Sequence, residues 1–274
     1  DEIVKKTGVH NRHLISEEES AFTMAKEATN KLLETVDQKN IDGLIYITQS
    51  PDSQIPATSC VLQSVCGLPK KTLAFDLNQG CSGFVYGLSV ATSLISNNAI
   101  RNCILVCAET YSKYIAPDDR ACRPIFSDGA SATLIDPAIS GEIGPFVFST
   151  DGGGAQNLML APSQIIRNET ARTRAGGPTL HMNGAKVLHF TMAQVPKFTH
   201  ELLAKASLKE NDIDMFIFHQ ASDLVLDNLI RLLGLPSHKV VRHLEKIGNT
   251  VSSTIPIAYE LERRAGRIQP GMTI

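Results

Sequence analysis

Cys81 sits in Asn78-Gln79-Gly80-Cys81-Ser82-Gly83-Phe84, between a strand-like run and the first turn of a helical pattern. Unpaired backbone N–H groups and the positive end of a helix dipole favour an anion at such a corner. A free thiol titrates near about 8.5 and a helix N-terminus can bring that to roughly 3.5–7.5, so the position suits a thiolate nucleophile. Gly80 and Gly83 permit a sharp turn and close approach of a substrate. A cysteine is more often plain packing, but Cys60, Cys66, Cys103, Cys107 and Cys122 all lack this polar, glycine-flanked setting. His219 closes the apolar run Met215-Phe216-Ile217-Phe218. An imidazole there can activate a thiol, donate to a forming enolate, or simply end a strand. Asn249, in Gly248-Asn249-Thr250, is either a turn residue or a neutral amide donor to developing negative charge. Taken jointly, the three fit a Cys-His-Asn site better than three unrelated accidents.

The elements that must deliver these residues read as an α/β layered fold, with strands alternating with helices. Ser16 to Glu19 has the form of a capping box before the apolar stripe Ala21, Met24, Ala25, Ala28, Leu32 and Val36. Strands are expected at 44–48, 73–77, 103–108, 132–135 and 215–218. Helices are expected at 82–96, at 185–206 with a kink or restart at Pro196, at 224–233 and near 254–264. Ile41-Asp42-Gly43-Leu44-Ile45-Tyr46 resembles Ile213-Asp214-Met215-Phe216-Ile217-Phe218. Each run is followed by a helical pattern that ends in the same tripeptide, Gly67-Leu68-Pro69 or Gly234-Leu235-Pro236. Cys81 lies beyond the second strand of the first copy and Asn249 beyond that of the second, with His219 at the end of the first strand of the second copy. Gly-Leu-Pro is also an ordinary helix stop, so the repeat alone does not decide the matter. A duplicated βαβ half about a pseudo-twofold axis would bring equivalent strand ends, where open α/β sheets bind ligands, to one centre.

Composition excludes several classes. The 274 residues can bury a sizeable core without staples. Hydrophobic residues at 43% and charged residues at 20% are ordinary for a globular chain. A formal charge of −2, no Trp and 5% aromatics leave no case for nucleic acid or a membrane surface. The six cysteines form no C-x-x-C pair, which points to a reducing cytoplasm, and Cys103 and Cys107 suit core packing better than a metal. No metal or cofactor is expected. The uncharged stretch from Leu77 to Ile100 is too polar for a bilayer and reads as a buried helix. Asp151-Gly152-Gly153-Gly154 lacks the Gly-Lys-Ser/Thr of a phosphate loop and reads as flexible. Asp128-Gly129-Ala130 reads as a tight turn, and 167–174, with three arginines, as a solvated loop. The start at Asp1 and the end just after Gln269-Pro270-Gly271 read as cut ends.

An ordered set of segments resembles one family, the β-ketoacyl-acyl-carrier-protein synthase III branch of the thiolase-fold condensing enzymes. The set is Ile3-Val4-Lys5-Lys6-Thr7-Gly8-Val9, Arg12-His13, Cys81-Ser82-Gly83-Phe84, Asp119-Arg120, Phe126-Ser127-Asp128-Gly129-Ala130, His219-Gln220-Ala221, Gly248-Asn249-Thr250 and Gly266-Arg267-Ile268-Gln269-Pro270-Gly271. The resemblance implies a five-layer αβαβα fold of two pseudo-twofold halves, here 1–145 and 146–274, in a cytoplasmic homodimer. It implies that Cys81 takes the acyl group from an acyl-CoA. His219 and Asn249 then stabilise the enolate of a malonyl thioester on acyl carrier protein as carbon dioxide leaves, and a β-ketoacyl thioester forms. CoA is a substrate and no cofactor is needed. The Cys81 backbone N–H supplies half the oxyanion hole. The family's other half comes from a C-terminal Gly-rich segment, which, like an N-terminal strand, has no counterpart in the residues given.

Departures from the family pattern bear on the substrate. Arg120 matches the arginine that stacks on the CoA adenine, but Glu2 stands where the family has the opposing tryptophan. Ser222 replaces an asparagine that contacts the CoA arm, and Leu224 an arginine associated with carrier-protein docking. Ile55 stands where an aromatic from the partner subunit limits the acyl pocket, so a longer or bulkier chain would fit. With Asn78-Gln79-Gly80 before the cysteine, these features suggest a specialised paralogue. Two further readings stay open: acyl transfer to an oxygen or nitrogen acceptor with His219 as base, and a silent subunit that positions a partner enzyme.

Overall fold

The computed structural model describes residues 2–138, 141–166, 168–171 and 177–274. Its organising element is a four-stranded sheet in the order β2-β1-β3-β4, with β1 at Gly43–Ile47, β2 at Leu73–Leu77, β3 at Cys103–Glu109 and β4 at Gly129–Ile135. β1 pairs in parallel with β2 and β3, and β4 runs antiparallel to β3. Alternate side chains of β1 serve opposite faces, as the pleat requires. Leu44 and Tyr46 join Ala21 and Ala25 of α2 (Ala21–Leu33) and Leu62 of α3 (Thr58–Val65). Ile45 and Ile47 join Phe84 and Ala91 of α4 (Gly83–Ser96). Cys103 and Cys107 are fully buried in that second cluster, as expected of core residues.

A short helix, α1 (Glu2–Thr7), opens the chain and packs on α6 (Asp223–Leu233). A two-stranded antiparallel sheet, β5 (Leu158–Ala161) with β6 (Thr179–Met182), lies in the middle of the sequence. Neither α1 nor this small sheet is expected from periodicity, since each is too short to show one. The remaining helices are α5 (Gly184–Ala206), α7 (Leu244–Ile247) and α8 (Thr254–Arg264).

The duplicated unit is visible in the backbone. Gly67 and Gly234 both take left-handed φ, +66° and +64°, a region that L side chains rarely adopt. The following amides close the same five-residue return: Leu68 N–H donates to Gln63 O and Leu235 N–H to Ile230 O, each at 3.0 Å. Parallel pairing follows both turns, as a full β1–β2 ladder in the first copy and as a Phe216–Val240 bridge in the second.

Several expectations are corrected. The run 215–218 is not a full strand: it alternates like one, with Met215 and Ile217 on α8's side and Phe216 and Phe218 on α6's side, but pairs only at Phe216. Among the described residues the backbone hydrogen bond on its other flank is to Thr273, whose carbonyl accepts from Met215 N–H at 3.4 Å and from the preceding Asp214 N–H at 2.9 Å. The capping box of α2 is made by Ser20 and Thr23; Ser16 and Glu19 instead close a separate turn. The helix does not restart at Pro196: α5 runs unbroken for 23 residues with the proline inside it and packs on α6. Asp151 caps a 3₁₀ turn at Gly152–Asn157 by accepting from Gly153 N–H, where a flexible loop was expected. Gly129 and Ala130 begin β4 rather than a tight turn, and Asp128 ties Ser112 and Ile15 together through their N–H groups at 3.0 Å. In the loop expected at 167–174, Arg167 and residues 172–174 lie outside the described residues.

Candidate active site

Cys81 lies in the turn between β2 and α4, and Gly83 N–H donates to Gly80 O at 2.7 Å as the helix begins. A Cβ on Gly83 would stand 2.6 Å from Ile47 Cγ2 and 3.3 Å from the Cβ of Ser252, so the backbone approach here admits only glycine. Cys81 is half-buried and packs against a cluster that includes Tyr111, Phe126 and Val251. The expected acidification of its thiol is not found. Burial first, and the Glu109 carboxylate second, push the thiol up to about 12, against a smaller lowering from its own backbone N–H. The helix mouth is outweighed because the sulfur is taken out of water.

His219 follows the strand-like run at 215–218, half-buried, with Nδ1 2.6 Å from Thr254 Oγ1. Burial lowers its pKa to about 4, so the ring is neutral at pH 7. Thr254 Oγ1 also lies 3.1 Å from Val251 O. A hydroxyl has one hydrogen. If it goes to Nδ1, Nε2 carries the ring proton and is a donor; if it goes to Val251 O, Nδ1 donates and Nε2 is a base.

Asn249 is 4% exposed and bridges to Phe126 in parallel: its N–H donates to Ile125 O at 3.0 Å and its carbonyl accepts from Ser127 N–H at 2.9 Å. Its Oδ1 accepts from Val251 N–H at 2.9 Å, which leaves the Nδ2 hydrogens to address a ligand. The run from Asn249 to Thr254 is thus common ground. Asn249 belongs to it, Val251 packs in the cluster that receives Cys81, Ser252 meets the start of α4, and Thr254 holds His219. Val251 keeps a positive φ of 55°, a strained setting for a β-branched residue.

Sequence reasoning missed Glu109, Ser252 and Thr254. Glu109 had a signal: a single carboxylate ends the wholly apolar run Cys103–Ala108. Ser252 and Thr254 had none, because their roles depend on residues distant in the chain, Glu109 for Ser252 and His219 for Thr254.

The outer residues are placed differently. Arg120 is exposed on a cleft of about 420 Å³ that it shares with Ile3, Arg12, Asp119 and Arg123. Glu2, on α1, is paired with Lys6 at 2.8 Å. Ser222 caps α6, its side chain accepting from Val225 N–H at 3.2 Å, and Leu224 lies 45% exposed in the first turn of that helix. Ile55 is 88% exposed in the loop between β1 and α3. Among the described residues no group of His, Cys, Asp and Glu is arranged to hold a metal ion.

Comparison with known proteins accords with this geometry. Residues 75–152 match the family model for 3-oxoacyl-[acyl-carrier-protein (ACP)] synthase III, and residues 203–274 match the model for its C-terminal part. The chain is 32% identical over 271 residues to the β-ketoacyl-[acyl-carrier-protein] synthase III of Rhizorhabdus wittichii, covering 98% of this chain and 83% of that protein. A 2.1 Å crystal structure of a 3-oxoacyl-(acyl-carrier-protein) synthase III superposes with a TM-score of 0.90 at 41% identity, over 98% of this chain and 84% of that one. The Thermus thermophilus β-ketoacyl-[acyl carrier protein] synthase III gives a TM-score of 0.89 at 33% identity, with 98% and 84% covered. With the βαβ repeat and its paired glycine turns, these likenesses mean that the chain belongs to the β-ketoacyl-acyl-carrier-protein synthase III family and has its thiolase-like α/β fold.

Proposed function

We propose that Cys81, His219 and Asn249 carry the reaction of this acyltransferase, the decarboxylative condensation of an acyl-CoA with a malonyl thioester on acyl carrier protein. The Cys81 sulfur attacks the acyl-CoA carbonyl, its proton leaves with the CoA thiol, and an acyl-Cys81 thioester remains. Loss of carbon dioxide from the malonyl thioester leaves its bonding pair on the enolate, whose oxygen is held by donors from His219 Nε2 and Asn249 Nδ2. Preorganised donors of this kind contribute roughly 10²–10³ in rate each. The enolate carbon attacks acyl-Cys81, the sulfur leaves as a thiolate that takes a proton from solvent, and a β-ketoacyl thioester forms. The observation that carries this reading is the run Asn249–Thr254, which touches the turn of Cys81 through Ser252 and His219 through Thr254.

A thiol at about 12 and a histidine at about 4 suit a neutral pair at rest, in which the proton moves only as the acyl donor arrives. One observation favours a second reading, acyl transfer to an oxygen or nitrogen acceptor: Thr254 Oγ1 is within reach of Val251 O, and donating there makes Nε2 a base. Intact-mass measurement with a panel of acyl-CoAs tests the nucleophile, since an adduct should form on the wild type and not on Cys81→Ser. Carbon dioxide release with malonyl-carrier protein then separates condensation from transfer to an amine or alcohol. No adduct with any donor would point to a silent subunit.

The finer assignments belong to the same proposal. Arg120 and the cleft beside it receive the nucleotide end of CoA, and Ile55 from a second copy limits the acyl pocket of a homodimer. Support for the dimer is the edge strand β2, where Leu73 is 40% exposed and Ala74, Phe75 and Leu77 are only partly covered. Ser222 is spent on capping α6, which argues for a changed contact to the CoA arm and, with Ile55 and Glu2, for a specialised paralogue. The halves divide at 1–145 and 146–274, and the enzyme works in the cytoplasm, the family's usual location. Among the described residues no helix is long and apolar enough to cross a membrane.

A further inference from the structure

We infer that Glu109 is a positioning residue of the condensation site: its buried carboxyl group fastens the strand ends of the N-terminal half to Ser252, in the run that carries Asn249 and Thr254. The inference rests on the functional reading above and adds a residue to which that reading assigns no role.

Glu109 ends β3 and is 0% exposed. It accepts from Ser50 Oγ at 2.8 Å, from Ser252 Oγ at 2.8 Å, from Gln49 N–H at 3.1 Å and from Thr48 Oγ1 at 3.3 Å. Three of these donors follow β1 directly, and the fourth comes from the other half of the molecule. Ser253, beside it, adds a donation to Cys107 O at 3.0 Å. The strand that bears the active-site neighbours is thereby tied to the run after Asn249 at two successive residues. A buried carboxyl is tolerated only when its oxygens are occupied, and here hydroxyls and one amide occupy them.

A fastening alone could be made by an amide or a hydroxyl. The carboxyl does more, because its charge reaches Cys81 and raises that thiol's pKa. The other titratable groups that its charge reaches are Cys107, Tyr46, Tyr111 and Tyr114, all acids, and each is raised by burial first with Glu109 adding in the same direction. Among the described residues no cation hydrogen-bonds to it. Burial raises Glu109 itself to about 7, against lowering by Ser50, Ser252, Gln49 and Thr48. Glu109 therefore holds the Asn249 run in place directly and adds, through space, to the burial that keeps the Cys81 thiol protonated.

The test uses the full chain with Ser252→Ala, Glu109→Gln and Glu109→Ala. Two quantities are read: kcat for carbon dioxide release from malonyl-carrier protein, and the pH dependence of Cys81 alkylation by iodoacetamide, followed by peptide mass so that exposed Cys60 is counted apart. Ser252→Ala should lower kcat roughly tenfold with the acyl-CoA KM little changed. Glu109→Gln, which keeps an acceptor for Gln49 and Ser50, should recover most of the kcat lost in Glu109→Ala while the Cys81 alkylation profile moves to lower pH. A wild-type kcat in Ser252→Ala, or an unmoved alkylation profile in Glu109→Gln, overturns the inference. If Glu109→Ala does not fold, the other two variants still decide. A wild type that forms no acyl adduct would sink the functional reading instead, and the alkylation profile would still decide for or against Glu109 by itself.

Discussion

Thr254 Oγ1 stands 2.6 Å from His219 Nδ1 and 3.1 Å from Val251 O, so one hydroxyl proton decides which tautomer the histidine adopts. Donation to Nδ1 makes Nε2 the donor that an enolate needs. Replacing Thr254 by Val removes that control. Thr254→Val should lower carbon dioxide release by roughly 10–100-fold and leave acyl-Cys81 formation largely intact, and Thr254→Ser should restore the rate. Equal loss of both steps in Thr254→Val would mean that the hydroxyl serves the fold alone.

Asn249 is held by its own backbone pairing with Ile125 and Ser127, and truncating its side chain removes one structural contact, the acceptor for Val251 N–H. Asn249→Ala should lower condensation roughly 10²–10³-fold, the loss of one preorganised donor. Acylation of Cys81, followed by intact mass, should survive. Asn249→Asp should be worse still, since a carboxylate faces the same negative charge.

The raised thiol pKa of Cys81 gives a direct measurement. With the thiol pushed up to about 12, alkylation by iodoacetamide should be slow at pH 7 and still rising tenfold per pH unit above pH 9. A plateau near pH 7 would show that the helix N-terminus prevails over burial after all.

His219 also ties stability to pH. Its folded pKa of about 4 lies below the ordinary 6.5, so as pH falls below 6.5 the unfolded chain takes up the proton first. The stability it contributes is present above pH 6.5 and is lost towards pH 4. Glu109 works the other way: raised from 4.5 to about 7, it keeps its proton when folded and costs stability as pH rises through that window. Thermal melts of His219→Gln and Glu109→Gln against the wild type, from pH 4.5 to 8, should therefore show Tm differences of opposite slope, each of a few degrees.

Ile55 tests acyl selection. At 88% exposed it contributes little to the fold of one chain, and Ile55→Phe should leave Tm unchanged. If a second copy delivers it to the acyl pocket, the larger ring should cut acylation by long-chain CoA donors and spare acetyl-CoA. An unchanged donor profile would remove Ile55 from the pocket.

Residue order alone was enough to place most elements and to set Cys81 at the corner between β2 and α4. The runs 73–77 and 254–264 end where strand β2 and helix α8 end, because hydrophobic spacing and local stop signals are properties of neighbours in the chain. Gly67-Leu68-Pro69 and Gly234-Leu235-Pro236 announced two equivalent turns, and both glycines prove left-handed. Other features depended on what the folded chain brings together. The cap of α2 moved from Ser16 to Ser20, a choice between nearby hydroxyls that short-range pattern does not rank. The run 215–218 had the alternation of a strand but found a pairing partner at one residue, since a ladder needs a neighbour that spacing cannot supply. The thiol of Cys81 read as acidic from its helix mouth, whereas in the fold burial and then Glu109, 28 residues further on in the numbering, push it upward. Charge and solvent are set by what surrounds a group in space, and chain order records only part of that.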